Sequence, residues 1–278
     1  MAFILASVFV VGCDLGPTID TTTTTATTTS TSLSPATTVV KNLELIAQYN
    51  GPGEDNGMAL AVDSQGRVIV AGYVNDGSDF DMALWRFAPD GSTDESFGTH
   101  GLVTYDGGHG DMATAVVIDP SDYIIATGFS NNISNNMVNN DLAVWRYDTS
   151  GKLDPYFGIG GVATFDSGEM NYGQGIALDH LHNILVTGYI NVNSNGNLVV
   201  WRFTKTGSLD VTFGGNGLVT YDGGHFDGGY GVMEDSSYGV LASGMTNNGT
   251  NEDMLLLRYN QDGSTDEAFG SGGRVAFD

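Results

Sequence analysis

A single cysteine, Cys13, stands in 278 residues, which excludes any intramolecular disulfide. Basic residues are almost as scarce. Nine Lys and Arg face 33 Asp and Glu, for a net charge of −24. So acidic a surface repels a phosphate backbone and makes nucleic acid a poor partner. It also resists anionic headgroups, so membrane contact has to come from an anchor. No G-x-S-x-G elbow, P-loop, HExxH pair or cysteine nucleophile occurs. No catalytic residue is assigned on that ground, and the chain reads as non-enzymatic. Apolar runs long enough for a helix are missing from the body of the chain. Its apolar segments are five to seven residues long, bounded by Gly, Asn or Asp, and rich in Val, Ile, Leu and aromatics. That pattern predicts an all-β fold.

What is present begins at the N-terminus. Residues 2–11 (AFILASVFVV) carry no charge and have the length of a signal-peptide apolar region, too short to span a bilayer. Val10-Val11-Gly12-Cys13 follows. This resembles the lipobox of bacterial lipoproteins, and the resemblance implies that Cys13 is acylated after cleavage of residues 1–12. Two or three acyl chains anchor stably where one does not. Residues 13–42 then form a Thr-rich spacer with runs at 21–25 and 27–29. Without apolar periodicity it is expected to be disordered, holding a domain roughly 25 Å from the membrane by random-coil scaling. The expected localisation is therefore an extracytoplasmic, membrane-anchored lipoprotein.

Residues 43–278 repeat. Gly91-Ser92-Thr93-Asp94-Glu95-Ser96-Phe97-Gly98 returns from Gly151, Gly207 and Gly263 after 60, 56 and 56 residues. Four strand-like segments keep the same phase in each unit. A small-residue segment ends in an acid (57–63, 112–119, 173–179, 229–235). A β-branched segment follows (68–73, 123–129, 184–189, 240–245). A third ends in Arg and an aromatic (81–87, DMALWRF; 141–147, DLAVWRY; 197–203, NLVVWRF; 253–259, DMLLLRY). The fourth is short (102–106, 162–166, 218–222, 274–278). The units run from about 51–106, 107–166, 167–222 and 223–278. Apolar residues on both faces of these segments require neighbours on both sides, as in stacked propeller blades. The fold expected is thus all-β, a propeller-like array of four repeats of about four antiparallel strands each. Residues 44–50 read as one surplus strand of the fourth kind. A closed ring, an open arc and part of a larger propeller all fit, and a closed four-blade ring is the expectation.

The phrase GRVIVAGYVNDGSDFDMALWRFAPDGSTDESFG (66–98) and its three echoes resemble the bacterial delta-60 repeat family. The resemblance covers residues 43–278. It implies propeller-like arrays in secreted or surface proteins, with no catalytic activity.

Four of the six arginines share one slot: Arg86, Arg146, Arg202 and Arg258. Every repeat also carries an acid in the following loop, Asp94, Asp154, Asp210 or Asp266, so the expected role is a structural Arg–Asp pair rather than an anion-binding ring. Phe97, Phe157, Phe213 and Phe269 of the same loop are expected to plug the space between blades. Acid-rich segments 75–81, 135–141 and 247–253 make Asp76, Asp79, Asp81, Asp141 and Asp253 the candidate calcium ligands, since calcium takes six to eight oxygens. No other cofactor is indicated. His180-Leu181-His182 has ligand-like spacing but falls in a turn with no third ligand. The function expected is a lipid-anchored surface module that binds or scaffolds, its partner an unidentified surface glycan or protein. The alternatives are a carbohydrate-active enzyme (glycosidase or lyase) and a calcium-dependent adhesion module.

Overall fold

The computed structural model describes residues 53–134, 137–192 and 195–278. Cys13, the threonine tract and residues 44–50 lie outside them. The described chain holds sixteen strands in four sheets. Blade one is β1 (Asp55–Val62), β2 (Val68–Asn75), β3 (Phe80–Phe87) and β4 (Leu102–Tyr105). Blade two is β5 (Asp111–Ile118), β6 (Ile124–Ser134), β7 (Met137–Tyr147) and β8 (Val162–Phe165). Blade three is β9 (Met170–Leu178), β10 (Ile184–Val192), β11 (Asn195–Phe203) and β12 (Leu218–Tyr221). Blade four is β13 (Asp227–Glu234), β14 (Val240–Asn247), β15 (Glu252–Tyr259) and β16 (Arg274–Phe277). Strands pair antiparallel in sequence order within each blade. This is the propeller-like architecture that the repeats predict. Among the described residues there is no helix long and apolar enough to cross a membrane.

The acid that ends each first segment sets the next turn. Asp63 Oδ1 accepts the amides of Gln65 (3.0 Å) and Arg67 (2.9 Å), and Asp119, Asp179 and Asp235 accept two amides each in the same way. Short acids capture backbone two residues on, which fixes a tight turn. His182 occupies the left-handed position of one such turn, at φ 62°. The histidine pair is therefore turn structure, and His180 Nδ1 meets Glu234 Oε1 at 2.8 Å.

The innermost strand of every blade carries a bulge, marked by a register shift against the second strand. Opposite each bulge stands a glycine: Gly72, Gly128, Gly188 or Gly244. A Cβ there would sit 1.8–1.9 Å from a bulge carbonyl oxygen. Only glycine permits that approach.

Three apolar clusters fill the junctions between blades. Ile69, Met82, Leu84 and Phe97 pack on Ile124, Trp145 and Tyr147. Leu142, Val144 and Phe157 pack on Ile184, Val199, Trp201 and Phe203. Leu198, Val200 and Phe213 pack on Val240, Leu255, Leu257 and Tyr259. Each blade thus offers a forward face to its successor. Three of the loop phenylalanines plug these junctions, fully buried, whereas Phe269 is half-buried and joins no cluster.

The expected ring closure is not found. Among the described residues no apolar cluster joins blade four to blade one. The forward face of blade four lies open instead: Met254 is 48% exposed where Met82, Leu142 and Leu198 are 0%, and Phe277 is 73% exposed. Among the described residues nothing covers that last face. The same slot should then differ in energetic weight. Leu198→Ala should cost about 2–5 kcal/mol in denaturant unfolding, and Met254→Ala under about 1 kcal/mol. Equal losses at the two positions would show that the fourth face is covered in solution.

Candidate functional site

The recurrent arginines are spent on holding blades together. Arg86 Nε donates to Asp94 Oδ2 at 2.8 Å, and Arg202 Nε to Asp210 Oδ2 at 2.8 Å. Arg258 pairs with Asp266 and also with Asp235 (2.8 Å); Arg146 approaches Asp154 (3.6 Å) and bonds Asp119 at 3.0 Å. All four Arg–Asp pairs read from the sequence are brought together. Each of the first three guanidiniums also reaches forward, through Nη1, to a turn carbonyl of the next repeat: Thr149, Lys205 or Gln261. Arg86 and Arg202 lie over Phe97 and Phe213, 4.4 and 4.7 Å from the ring centres. The loop backbone adds a parallel hook, Gly98 N–H to Ser150 O at 3.0 Å, repeated at Gly158 and Gly214. Arg258 has no following turn described and takes its second acid from its own blade.

A different group gathers where the chain crosses from blade one to blade two. Asp81 stands near the start of β3. Met82 pairs with Tyr105, so Asp106, just past β4, lies beside Asp81. Five residues later Asp111 opens β5. Carboxylate oxygens of Asp81, Asp106 and Asp111 all lie within 4.8 Å of one another. Gly107 N–H donates to Asp111 Oδ2 at 2.5 Å, and Gly108 N–H to Asp106 Oδ1 at 2.7 Å, so the Tyr-Asp-Gly-Gly-His phrase is the crossover turn.

Asp111 is 0% and Asp81 8% exposed, yet Oδ1 of each has no hydrogen-bond partner. Burial pushes the Asp81 carboxyl up to about 6, with Asp106, Asp76, Asp79 and Asp111 adding repulsion. Burial also pushes Asp111 up, opposed by the Ser130 hydroxyl and the Gly107 amide. Such oxygens are costly unless a proton or a cation meets them.

The other junctions fill the same slots with fewer acids. At the second, Asn171 replaces the third acid; it accepts from Ser167 Oγ (2.8 Å) and donates to Glu169 O (2.6 Å). At the third, Asn197 takes the place of Asp81, beside Asp222 and Asp227 in the remaining slots. Among the described residues only the first junction brings three carboxylates together. Of the expected calcium ligands, Asp81 is therefore the one in a converging set. Asp76 Oδ1 is taken by the Ser78 amide and hydroxyl (2.9 and 2.6 Å), and Asp79 lies in that same turn. Asp141 sits at the second junction and accepts from Asn139 (2.9 Å); Asp253 accepts from Asn248 and Asn251 at 3.0 Å each. Asp106 and Asp111 were not singled out in the sequence. Their signal was slot recurrence: Asp55, Asp111, Asn171 and Asp227 open the first strand of every repeat or directly precede its core.

Two outcomes follow. Arg202 is 6% exposed, so Asp210→Ala should cost about 3–5 kcal/mol by leaving a buried guanidinium unpaired. Asp266→Ala should cost under about 2 kcal/mol, because Arg258 keeps Asp235. Unfolding both variants in urea checks the contrast. The Asp141 carboxyl is pushed up to about 6 by burial, then by Asp166. Its folded form holds a proton more tightly than the unfolded chain does, so its contribution to stability is lost as pH rises from about 4 to 6. Asp141→Asn should therefore stabilise the domain by about 1–3 kcal/mol at pH 7, with the gain vanishing near pH 4. A gain unchanged between those pH values would contradict the assignment.

A family model described as a domain of unknown function (DUF5122), β-propeller, matches residues 64–97, 183–213 and 240–269. Each matched segment ends on a loop phenylalanine, Phe97, Phe213 or Phe269. Comparison with curated proteins gives no match. Among solved structures the chain is similar to a gluconolactonase from Xanthomonas campestris, at 15% identity and a TM-score of 0.40, over 74% of this chain and 59% of that one. It is similar also to a second structure described as a candidate gluconolactonase, at 13% identity and a TM-score of 0.38, over 74% and 60%. The chain spans about three fifths of the length of both. Matched family and sheet topology together make this chain a β-propeller-like repeat protein.

Proposed function

We propose that the chain is a lipid-anchored, surface-exposed repeat module of the delta-60 kind that binds or scaffolds and does not catalyse. The observation that carries this reading is the internal use of its recurrent polar set: every slot arginine is paired with acids of the blades, and three of the four also bond a turn carbonyl, so none is left to engage a substrate. The carboxylates pushed upward, Asp81, Asp111, Asp141 and Asp227, are 8%, 0%, 6% and 0% exposed and belong to blade junctions. Open clefts lie instead at the third junction, one lined by Gly214, Asn216, Tyr259 and Asp262, another by Asn183, Arg202, Asp210 and Asp262. Ser264 holds Asp262 below the usual carboxylate range, and Thr212 and Arg202 outweigh burial to do the same for Asp210. Acids so held are poor proton donors, which favours binding over glycoside cleavage.

The location follows from the order of Cys13, spacer and array. Acyl chains on Cys13 would retain the protein, and the threonine tract would lift the blades clear of a surface that their charge disfavours. The partner is a surface glycan or protein. Cells expressing the full chain should incorporate an alkynyl fatty acid into it and hold it in the membrane fraction. Cys13→Ala should lose both label and retention. Label or membrane retention persisting in Cys13→Ala would overturn the anchor.

A further inference from the structure

The first blade junction carries an inference that stands apart from where the chain resides. Three carboxylates converge there without a basic residue among them. Two of their oxygens, on Asp81 and Asp111, are buried and unpartnered. The turn acids take amides and the loop acids take arginine; at the third junction Asp227 also keeps one buried oxygen without a partner, but no third carboxylate converges on it. The second junction has an amide, Asn171, in place of the third acid, and the Asn139 NH2 group donates to Asp141 Oδ1 (2.9 Å) and Asp166 Oδ1 (3.4 Å). At the first junction no amide is present, so a positive charge is what the slot lacks.

We propose that Asp81, Asp106 and Asp111 bind one calcium ion between blades one and two. All three donors are hard oxygens, which select calcium, magnesium or manganese over zinc or copper. Three carboxylates within 4.8 Å of one another favour calcium, which takes six to eight oxygens in flexible geometry, over magnesium, which demands a near-ideal octahedron and is usually held by one or two carboxylates. Asp106 is exposed and Asp111 buried, so the site opens to solvent on one side, and water would complete the shell. Three negative charges on one ion suit weak binding, with a Kd of about 10⁻⁴–10⁻³ M, the range of extracellular calcium modules. The ion would tie β3 and the end of β4 to the start of β5, strengthening the first junction beyond its apolar contacts. The third junction repeats the arrangement with Asn197 in place of Asp81 and so has one charge fewer; its Asp227 is an internal control.

The test is a calcium titration of the full chain after chelator treatment, followed by melting temperature. A saturable rise of about 5 °C by 10 mM calcium is expected, with a smaller rise in magnesium. Asp111→Asn and Asp106→Asn should each abolish the calcium response or weaken it at least tenfold. Both should fold, since Asp106 is exposed and Asp111→Asn removes only charge; their melting temperatures without calcium should equal or exceed that of the natural chain. Asp227→Asn should keep the response. No saturable rise overturns the proposal, as does a rise that survives both Asp111→Asn and Asp106→Asn. A response lost in Asp227→Asn but kept in Asp111→Asn overturns the choice of junction, and a larger rise in magnesium overturns the choice of ion.

Discussion

The array depends on one asymmetric joint. In blades one and three a guanidinium is clamped by its own loop acid, lies over its own loop phenylalanine and bonds a carbonyl of the next repeat, while in blade two Arg146 makes the same forward bond but lies over Tyr123. The joint combines two requirements that usually conflict. Phenylalanine wants a dry, close-packed slot, and arginine wants every N–H satisfied. Stacking the guanidinium flat on the ring meets both, since its faces are weakly hydrated while its edge carries the donors. The backbone hook from Gly98, Gly158 or Gly214 then locks the two loops in register.

This joint explains the skewed composition. A chain with nine basic residues places most of its arginines where one charge is buried against one acid, and leaves almost none for the surface. The remaining acids are absorbed by turns, where a carboxylate accepts backbone amides and needs no cation. At the first blade junction backbone amides reach Asp106 and one oxygen of Asp111 but leave Oδ1 of both Asp81 and Asp111 unmet. Crowding of acids at a crossover is then a property of the repeat itself. Four related units inherit the same slots, and each junction answers the crowding differently, with an amide, a proton or an ion.

Much of this was legible in the sequence, for a definite reason. Strands, loop plugs and Arg–Asp pairs recur in phase, so each was read four times over, and eight residues separate Arg202 from Asp210 in one hairpin-like excursion. Closure was not legible. Whether blade four meets blade one depends on small rotations between sheets, which no local pattern encodes, and Met254 reads like Leu198 although one is exposed and the other buried. The acid trio was half legible. Asp81 stood out within an acidic stretch, but its true neighbours lie 25 and 30 residues away in chain order. Only the antiparallel return of β4 along β3 brings Asp106 to it. Asp76, nearer in sequence, turns back on its own backbone, and Asp79 meets the Ser78 hydroxyl.

The open forward face of blade four has a consequence for how the molecule breathes. In a stacked array each unit draws stability from its neighbours, so a unit with one neighbour opens before a unit with two. Blade four shares only its rear face among the described residues, and its last strand, β16, is exposed along its whole length. Amide hydrogens of β15 and β16 will exchange with solvent through local opening, while those of β7 and β11, enclosed on both sides, wait for global unfolding. Among the described residues the array therefore has a grain: the end blades, each with one neighbour, loosen first, and the middle blades are the last to let go.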